Sequence, residues 1–578
     1  MYILGINAFH ADSSACLLKN GEILAAAEEE RFNRVKHYSG LPVKAINYCL
    51  NHANIRLSDV DVISLNQNSS SNFYPKIKYA LSNLTIGSAV KRVLARKQRE
   101  GVVSLLEERF DVQFNGKFEK IDHHRAHLAS SYYISPFDEA LSVSVDGFGD
   151  FASTSWGYGN ESHLEIEGQV YFPHSLGVFY QAMTQWLGFK NYGDEYKVMG
   201  LAPYGEPKYV KTLQGILKLH DDGLFSLDLQ YFRHHNTNIT YDHFNGIPCF
   251  PDLFSDKLED LIGKQRQKTE ELRQIHFDYA RSVQTIYENA LFNLLSVLYD
   301  RYSTENLTLS GGCGMNSVAN GKVYERTKFK KLYVQSAAGD AGGAIGAALC
   351  SWVDRTKQKP EHVQSSYFGP SYSNEEIQSI IRERESELSE ENFNVNYFQD
   401  DVELYNKTAE RIANGEVIGW FQGRMEWGPR ALGNRSILAD PRNPNMKNIL
   451  NEKIKKRESF RPFAPSILDY EVKNWFETVD DVPFMMKVFK ILPKKQKYIP
   501  AVTHVDGTGR LQTVHEQTNE RYYKLIKAFK SITKVPMVLN TSFNENEPVV
   551  CNPDQALSTF LRTQMDCLVM GNWMITRV

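Results

Sequence analysis

Apolar and polar positions alternate in short blocks over the first thirty residues. Residues 2–6, 15–18 and 23–27 are apolar runs of strand length, and Lys19-Asn20-Gly21-Glu22 separates the last two. Asn-Gly between apolar runs predicts a tight hairpin, because both residues tolerate positive φ. A polar tip at residues 7–14, carrying His10 and Asp12, joins the first two runs. Residues 28–37 are dense in charge and are expected to form a solvated run. Residues 41–50 have helical periodicity, and residues 60–65 read as a buried strand. Residues 70–110 read as helical and basic, with Lys76, Lys78, Lys91, Arg92, Arg96, Lys97 and Arg99 on an expected solvated face.

The next helix begins at Asp122-His123-His124-Arg125-Ala126-His127. Asp122 can cap it by accepting a backbone N–H. His123 and His127 are four positions apart and project from one face, a spacing that suits two ligands of one metal ion. His124 lies about a third of a turn away and does not join them. The competing reading is a surface helix with three solvated histidines. A β-branched run at 141–145 then ends in Asp146-Gly147, which is expected to present a carboxylate at a strand tip, either to a ligand or as a plain turn. Residues 153–157 start a second hairpin, so the opening pattern is echoed.

Further on, residues 174–189 and 269–299 read as helices, and residues 307–310 as a strand running into Gly311-Gly312-Cys313-Gly314. Glycines at a strand-to-helix turn let backbone amides approach a phosphate, though they can equally serve packing. Asp340 stands in a second glycine-rich turn at 337–346. Two histidines and two aspartates make a mixed nitrogen and oxygen set suited to a divalent transition metal, with iron and zinc both open.

A length of 578 residues exceeds one hydrophobic core. Residues 360–374 lack apolar periodicity and are the expected linker between domains at 1–358 and 359–578. The net charge of −3 argues against a nucleic-acid partner, and no apolar run is long enough for a membrane. Residues 1–6 lack a basic leader, and the seven cysteines are scattered and odd in number. Together these predict a cytoplasmic protein with reduced thiols. In the second half, Arg424, Arg430, Arg435, Lys455, Lys456, Arg457 and Arg461 crowd among glycines and prolines, which predicts an oxyanion pocket. Residues 536–544 read as a strand ending in small hydrogen-bonding residues.

These motifs carry a resemblance. Residues 27–32 (AEEERF), His123-His124-x-x-His127, residues 198–205 (VMGLAPYG), Ser310-Gly311-Gly312-Cys313 and residues 428–436 (GPRALGNRS) are similar to those of the antibiotic- and nodulation-type O-carbamoyltransferases. The resemblance implies an α/β chain: an N-terminal actin-like (ASKHA) duplicated domain related to threonylcarbamoyl transferase, then a C-terminal α+β twisted-sheet (YrdC-like) domain similar to threonylcarbamoyl-adenylate synthase. It implies that carbamoyl phosphate and ATP give carbamoyl-adenylate, whose carbonyl is then attacked by a hydroxyl of a small natural product. It also implies His123, His127, Asp146 and Asp340 as ligands of Fe2+ or another divalent transition metal, with Mg2+ as a further cation. Arg430, Lys455, Arg461, Arg510, Asn540 and Ser542 are implied to hold carbamoyl phosphate and nucleotide, with Lys36 as a nucleotide contact, while the glycine turn itself offers Gly311 and Gly312 as phosphate-binding amides. His10 is the implied general base, with Asp12 in contention. Acceptor contacts are expected from residues 70–100 and 205–260, the aromatic content of the second segment pointing to a ring-bearing or polycyclic acceptor, and a homodimer is admitted. The alternatives are a tRNA-modifying carbamoyl enzyme, a small-molecule kinase of the same superfold, and an inactive ATP-binding scaffold.

Overall fold

The computed structural model describes residues 1–83, 101–236, 240–242, 246–390 and 393–577. They divide into two compact units, Met1–Val363 and Gln364–Val578. The basic positions Lys91, Arg92, Arg96, Lys97 and Arg99 lie outside the described residues.

In the first unit, strands β1 (Tyr2–Asn7), β2 (Ser14–Lys19), β3 (Glu22–Glu28), β4 (Val62–Leu65) and β5 (Lys117–Lys120) form a sheet ordered β3-β2-β1-β4-β5. The first three are antiparallel, and β1, β4 and β5 are parallel. Lys19 pairs with Glu22, and Asn20 and Gly21 between them have φ of 51° and 89°. This is the two-residue turn that Asn-Gly favours. Strands β6 (Glu139–Gly149), β7 (Ala152–Asn160) and β8 (Gly168–Tyr171) follow, then the small hairpins β9 (Leu217–Leu219) with β10 (Phe225–Leu227) and β11 (Thr240–Asp242) with β12 (Ile247–Cys249). β13 (Asn306–Ser310) and β14 (Lys331–Val334) complete a second sheet, β14-β13-β6-β7-β8. Each sheet is therefore an antiparallel meander of three strands extended by two parallel strands that helices connect. The unit is a duplication, the actin-like arrangement.

One helix closes each half: His123–Tyr132 and Gly342–Thr356. Glycine sets how tightly they cross. A Cβ on Gly346 would lie 1.8 Å from the Ala126 carbonyl oxygen, and one on Gly5 would lie 1.9 Å from that of Ala344. Gly346 of the glycine-rich run thus serves helix packing.

Two expectations need correction. The charge run is not solvated: Glu28, Glu29, Glu30 and Arg31 are all buried. Arg31 bridges Glu28 at 3.1 Å and Glu30 at 3.0 Å, while Glu29 accepts the Ala45 N–H at 2.8 Å. β3 carries the run inward, and buried charges persist there because they are paired. Nor does Asp146 stand at a strand tip. β6 runs on to Gly149, with its register to β7 broken between Val145 and Gly149, so Asp146 begins a bulge.

The second unit contains β15 (Phe393–Tyr397), β16 (Ile418–Phe421), β17 (Arg435–Ala439), β18 (Ala464–Leu468), β19 (Lys487–Lys490), β20 (Thr508–Val514), β21 (Met537–Ser542), β22 (Cys567–Met570) and β23 (Trp573–Arg577). They form one mixed sheet, β15-β23-β22-β16-β17-β21-β18-β20-β19. The amphipathic helices Asp401–Ala413 and Glu520–Thr533 pack against each other and cover part of it. All seven cysteines are free thiols. Among the described residues no helix is long and apolar enough to cross a membrane.

Candidate metal centre and cationic cluster

The Asp122 carboxylate accepts the N–H groups of His124 and Arg125 at 2.9 and 3.1 Å, which fixes the start of the histidine helix. His123 and His127 are buried, with their Nε2 atoms 3.0 Å apart. Asp146 Oδ2 lies 3.2 Å from both nitrogens, and Asp340 Oδ1 lies 3.6 and 3.5 Å away. The four positions come from both halves of the duplication. The histidines open the closing helix of one half, Asp340 precedes the closing helix of the other, and Asp146 ends the regular part of that half's first strand. These are carboxyl ends of strands, where open α/β sheets gather ligands.

The donor set fits a divalent cation. Metal bonds of about 2.1 Å put neighbouring donors about 3.0 Å apart at octahedral angles and about 3.4 Å apart at tetrahedral ones. Asp340 Oδ1 and His127 Nδ1 are buried and have no hydrogen-bond partner among the described residues, so a carboxylate oxygen points into the cluster unsatisfied. Burial alone would push His127 down, but the neighbouring Asp146 and Asp340 carboxylates outweigh that and raise it to about 9. Burial works upward on Asp146, yet its contacts with His123 and His127 hold it well below the usual carboxylate range. Asp340 is likewise pulled against burial to about 2, chiefly by the charge of His10. A divalent cation would satisfy the same carboxylates and release His127 as a neutral ligand. His124 faces away, with Nδ1 3.1 Å from Ser144 Oγ; burial and then its two histidine neighbours lower it to about 4.

The surroundings hold these side chains in place. The Gly312 N–H donates to Asp146 Oδ1 at 3.0 Å, so one amide of the glycine turn serves the carboxylate. Gly311 has φ of 84°, and a Cβ there would lie 2.3 Å from the Val145 carbonyl oxygen. Ser175 Oγ donates to the Asp146 carbonyl at 3.1 Å, and Asp150 Oδ2 accepts the His123 N–H at 2.9 Å. A Cβ on Gly149 would lie 1.9 Å from His123 Cδ2.

The polar tip after β1 divides between two partners. His10 Nδ1 meets Asp340 Oδ2 at 2.8 Å, which joins His10 to the four-residue cluster. Asp12 Oδ1 instead meets His37 Nδ1 at 2.7 Å, and Asp12, Glu30 and His37 form a second acidic and imidazole group. Burial lowers His37, but Asp12 and then Glu30 raise it to about 9. Lys36 is exposed and adds its charge beside Glu30 and His37. The sequence reading missed His37 because it lay inside the presumed solvated run.

In the second unit, the loop after β16 is gathered by Glu426, whose Oε1 accepts the N–H groups of Leu432, Asn434 and Arg435 at 2.8, 2.7 and 3.1 Å. Asn540 on β21 donates to the Ala431 carbonyl at 3.1 Å, and Gln512 on β20 donates to that of Leu432 at 2.9 Å. These ties bring Arg430 towards Arg510 on β20. Burial and then the charge of Arg430 pull Arg510 well below its ordinary value. Two guanidinium groups destabilising one another mark a place where an anion would be welcome. Lys455 is buried and donates to the Ser542 carbonyl at 2.5 Å and to Asn544 Oδ1 at 2.8 Å. Arg461 leads into β18 and meets Glu458 at 3.4 Å.

Other cations of the crowded motif have structural tasks. Arg435 is fully buried over the Phe421 ring and donates to the carbonyls of Gln422 at 2.5 Å and Pro370 at 2.8 Å. Arg424 donates to the Phe368 carbonyl at 2.6 Å, and Lys456 pairs with Glu545 at 2.9 Å. Motif density overstated the pocket, while Glu426 gave no sequence signal beyond one acid among many bases.

Two family models match the chain: "Carbamoyltransferase N-terminus" over residues 2–349 and "Carbamoyltransferase C-terminus" over residues 409–577. An uncharacterized protein of Synechocystis sp. is 40% identical, covering 100% of this chain and 97% of its own. Nodulation protein NolNO of Sinorhizobium fredii is 37% identical over 99% of this chain and 80% of its own. Nodulation protein NolO of Bradyrhizobium diazoefficiens is 38% identical over 79% of each. The solved T. kodakarensis HypF structure matches 61% of this chain and 47% of its own at 14% identity and a TM-score of 0.30.

Proposed function

The chain belongs to the carbamoyltransferase family, and from that premise we propose an ATP-dependent O-carbamoyltransferase whose two units perform successive steps. In the second unit, Arg430, Arg461 and Arg510 neutralise the phosphates of ATP and carbamoyl phosphate, with Lys455, Asn540 and Ser542 shaping the same pocket. Carbamoyl phosphate and one water give carbamate and phosphate. A carbamate oxygen attacks the α-phosphorus of ATP and expels pyrophosphate, leaving carbamoyl-adenylate.

In the first unit, a hydroxyl of a small-molecule acceptor attacks the carbamoyl carbonyl, AMP departs, and the carbamate ester forms. His10 takes the hydroxyl proton, its ring oriented by the hydrogen bond that Nδ1–H donates to Asp340; Asp12, held by His37, is the other group able to take it. Lys36 contacts the nucleotide from its exposed position. A divalent transition metal on His123, His127, Asp146 and Asp340, Fe2+ in this proposal, would supply Lewis-acid polarisation of carbonyl or phosphate oxygens.

The convergence of those four buried side chains, with His10 on Asp340, is the observation that supports this reading best. The test uses ATP and carbamoyl phosphate without acceptor, and pyrophosphate and phosphate should appear in equal amounts. Release of ADP on adding an alcohol, with no pyrophosphate, would replace it with the kinase reading.

A further inference from the structure

We propose that an aromatic wall beside the Asp146 bulge recognises the acceptor, and that it selects a hydroxyl compound with a flat-faced ring. This rests on the transfer reading above and adds residues and a substrate class to it. Phe148 lies two residues beyond Asp146 on β6. Its ring centroid is 5.1 Å from Phe172 and 5.9 Å from His234, with the His234 ring inclined by 26°. Phe172 in turn lies 5.0 Å from Tyr79 and 5.5 Å from Phe151. Five rings from four stretches of chain therefore gather beside the bulge that carries a candidate metal ligand.

Three features separate this wall from ordinary core. Tyr79, Phe148, Phe151 and Phe172 all keep part of their surface exposed, where a packed interior would bury them. A Cβ built on Gly147, between Asp146 and Phe148, would meet nothing within 4 Å among the described residues, so the bulge has open space beside it. His234 is only 3% exposed, yet its Nδ1 has no hydrogen-bond partner among the described residues. Its Nε2 lies 2.7 Å from the Pro173 carbonyl, which can only accept, so Nε2 carries the proton and Nδ1 is an acceptor in need of a donor. Burial lowers His234 to about 4, which keeps that nitrogen lone pair available at neutral pH.

The wall is also rigidly placed. Ser175 Oγ donates to the Gly147 carbonyl at 2.8 Å, and Asn72, just before the helix Phe73–Asn83, donates to the Asp150 carbonyl at 3.0 Å. Aromatic faces bind the apolar face of a ring with little loss of conformational freedom, whereas a flexible chain must be ordered on binding. A ring hydroxyl donated to His234 Nδ1 would fix the ring's rotation.

The test compares trans-1,4-cyclohexanediol with 1,6-hexanediol, which have equal carbon and hydroxyl counts, by saturation-transfer NMR on the full chain. Transfer to the ring C–H groups should exceed transfer to the linear diol by about tenfold, the size of one or two aromatic contacts. Phe148→Ala and Phe148→Leu should abolish that preference, and Phe148→Tyr should restore it, at unchanged thermal unfolding temperature. Equal signals from the two diols, or an undiminished preference in Phe148→Leu, would overturn the wall. Pyrophosphate release by the unmutated chain is scored separately. Its absence would remove the transfer reading without altering the diol result.

Discussion

The first unit's four-residue cluster and the second unit's cationic loop meet the same physical problem, buried charge, in opposite ways. In the first, two imidazoles and two carboxylates face one point, and an oxygen and a ring nitrogen have no partner among the described residues. In the second, Arg435, Arg424 and Lys455 are bound to backbone carbonyls, and the mutual pressure falls on Arg430 and Arg510. The lesson concerns where ligand capacity resides. Side chains that satisfy one another's geometry build the scaffold, whereas those that strain one another mark a place for something else.

Substitutions can break that contrast. The largest effect should come from Arg430→Ala, which should cut pyrophosphate release by about 10²–10³, the size seen when one anion-stabilising donor is lost. Bound metal, measured by elemental analysis, should not change; a joint loss would erase the distinction between the units. His127→Ala should act the other way, lowering AMP release on acceptor addition by about 100-fold together with metal content, while pyrophosphate still forms. Gly149→Ala tests the cluster without touching a ligand. Its Cβ must displace the His123 ring, so metal affinity should fall by about 10–100-fold in a chelator titration.

Smaller effects sharpen the scaffold side. Arg435→Ala should lower the stability of the second unit by about 2 kcal/mol, since it strips several charge-assisted bonds from buried carbonyls. Denaturant unfolding would show it, and a specific catalytic loss at unchanged stability would contradict the scaffold role. The smallest concerns His37. Its folded value of about 9 exceeds its ordinary 6.5, so its pairing with Asp12 contributes stability that is complete below about pH 6.5 and fades as pH rises through 9. Asp12→Asn should lower the melting temperature at pH 6 and converge with the unmutated chain at pH 10.

Legibility followed range along the chain. The Asn20-Gly21 hairpin, the Asp122 cap and the His123/His127 pairing were readable because each rests on neighbours within four residues. The buried state of Glu28–Arg31 was not, since charge density looks alike whether water or a partner answers it. The bulge at Asp146 was also hidden, because Asp-Gly favours a turn locally and only pairing with β7 shows that the strand continues.

The sequence by itself determined which elements form, that the first unit is duplicated, and which residue types could grip a cation or a phosphate; spacing and turn chemistry suffice for these. Only the tertiary structure decided that His10 joins Asp340 while Asp12 joins His37, that Arg435 supports the loop bearing Arg430, and that rings from distant segments meet beside Asp146. Such pairings are set by sheet register and helix crossing, where a glycine too small to clash fixes distances that no local pattern encodes.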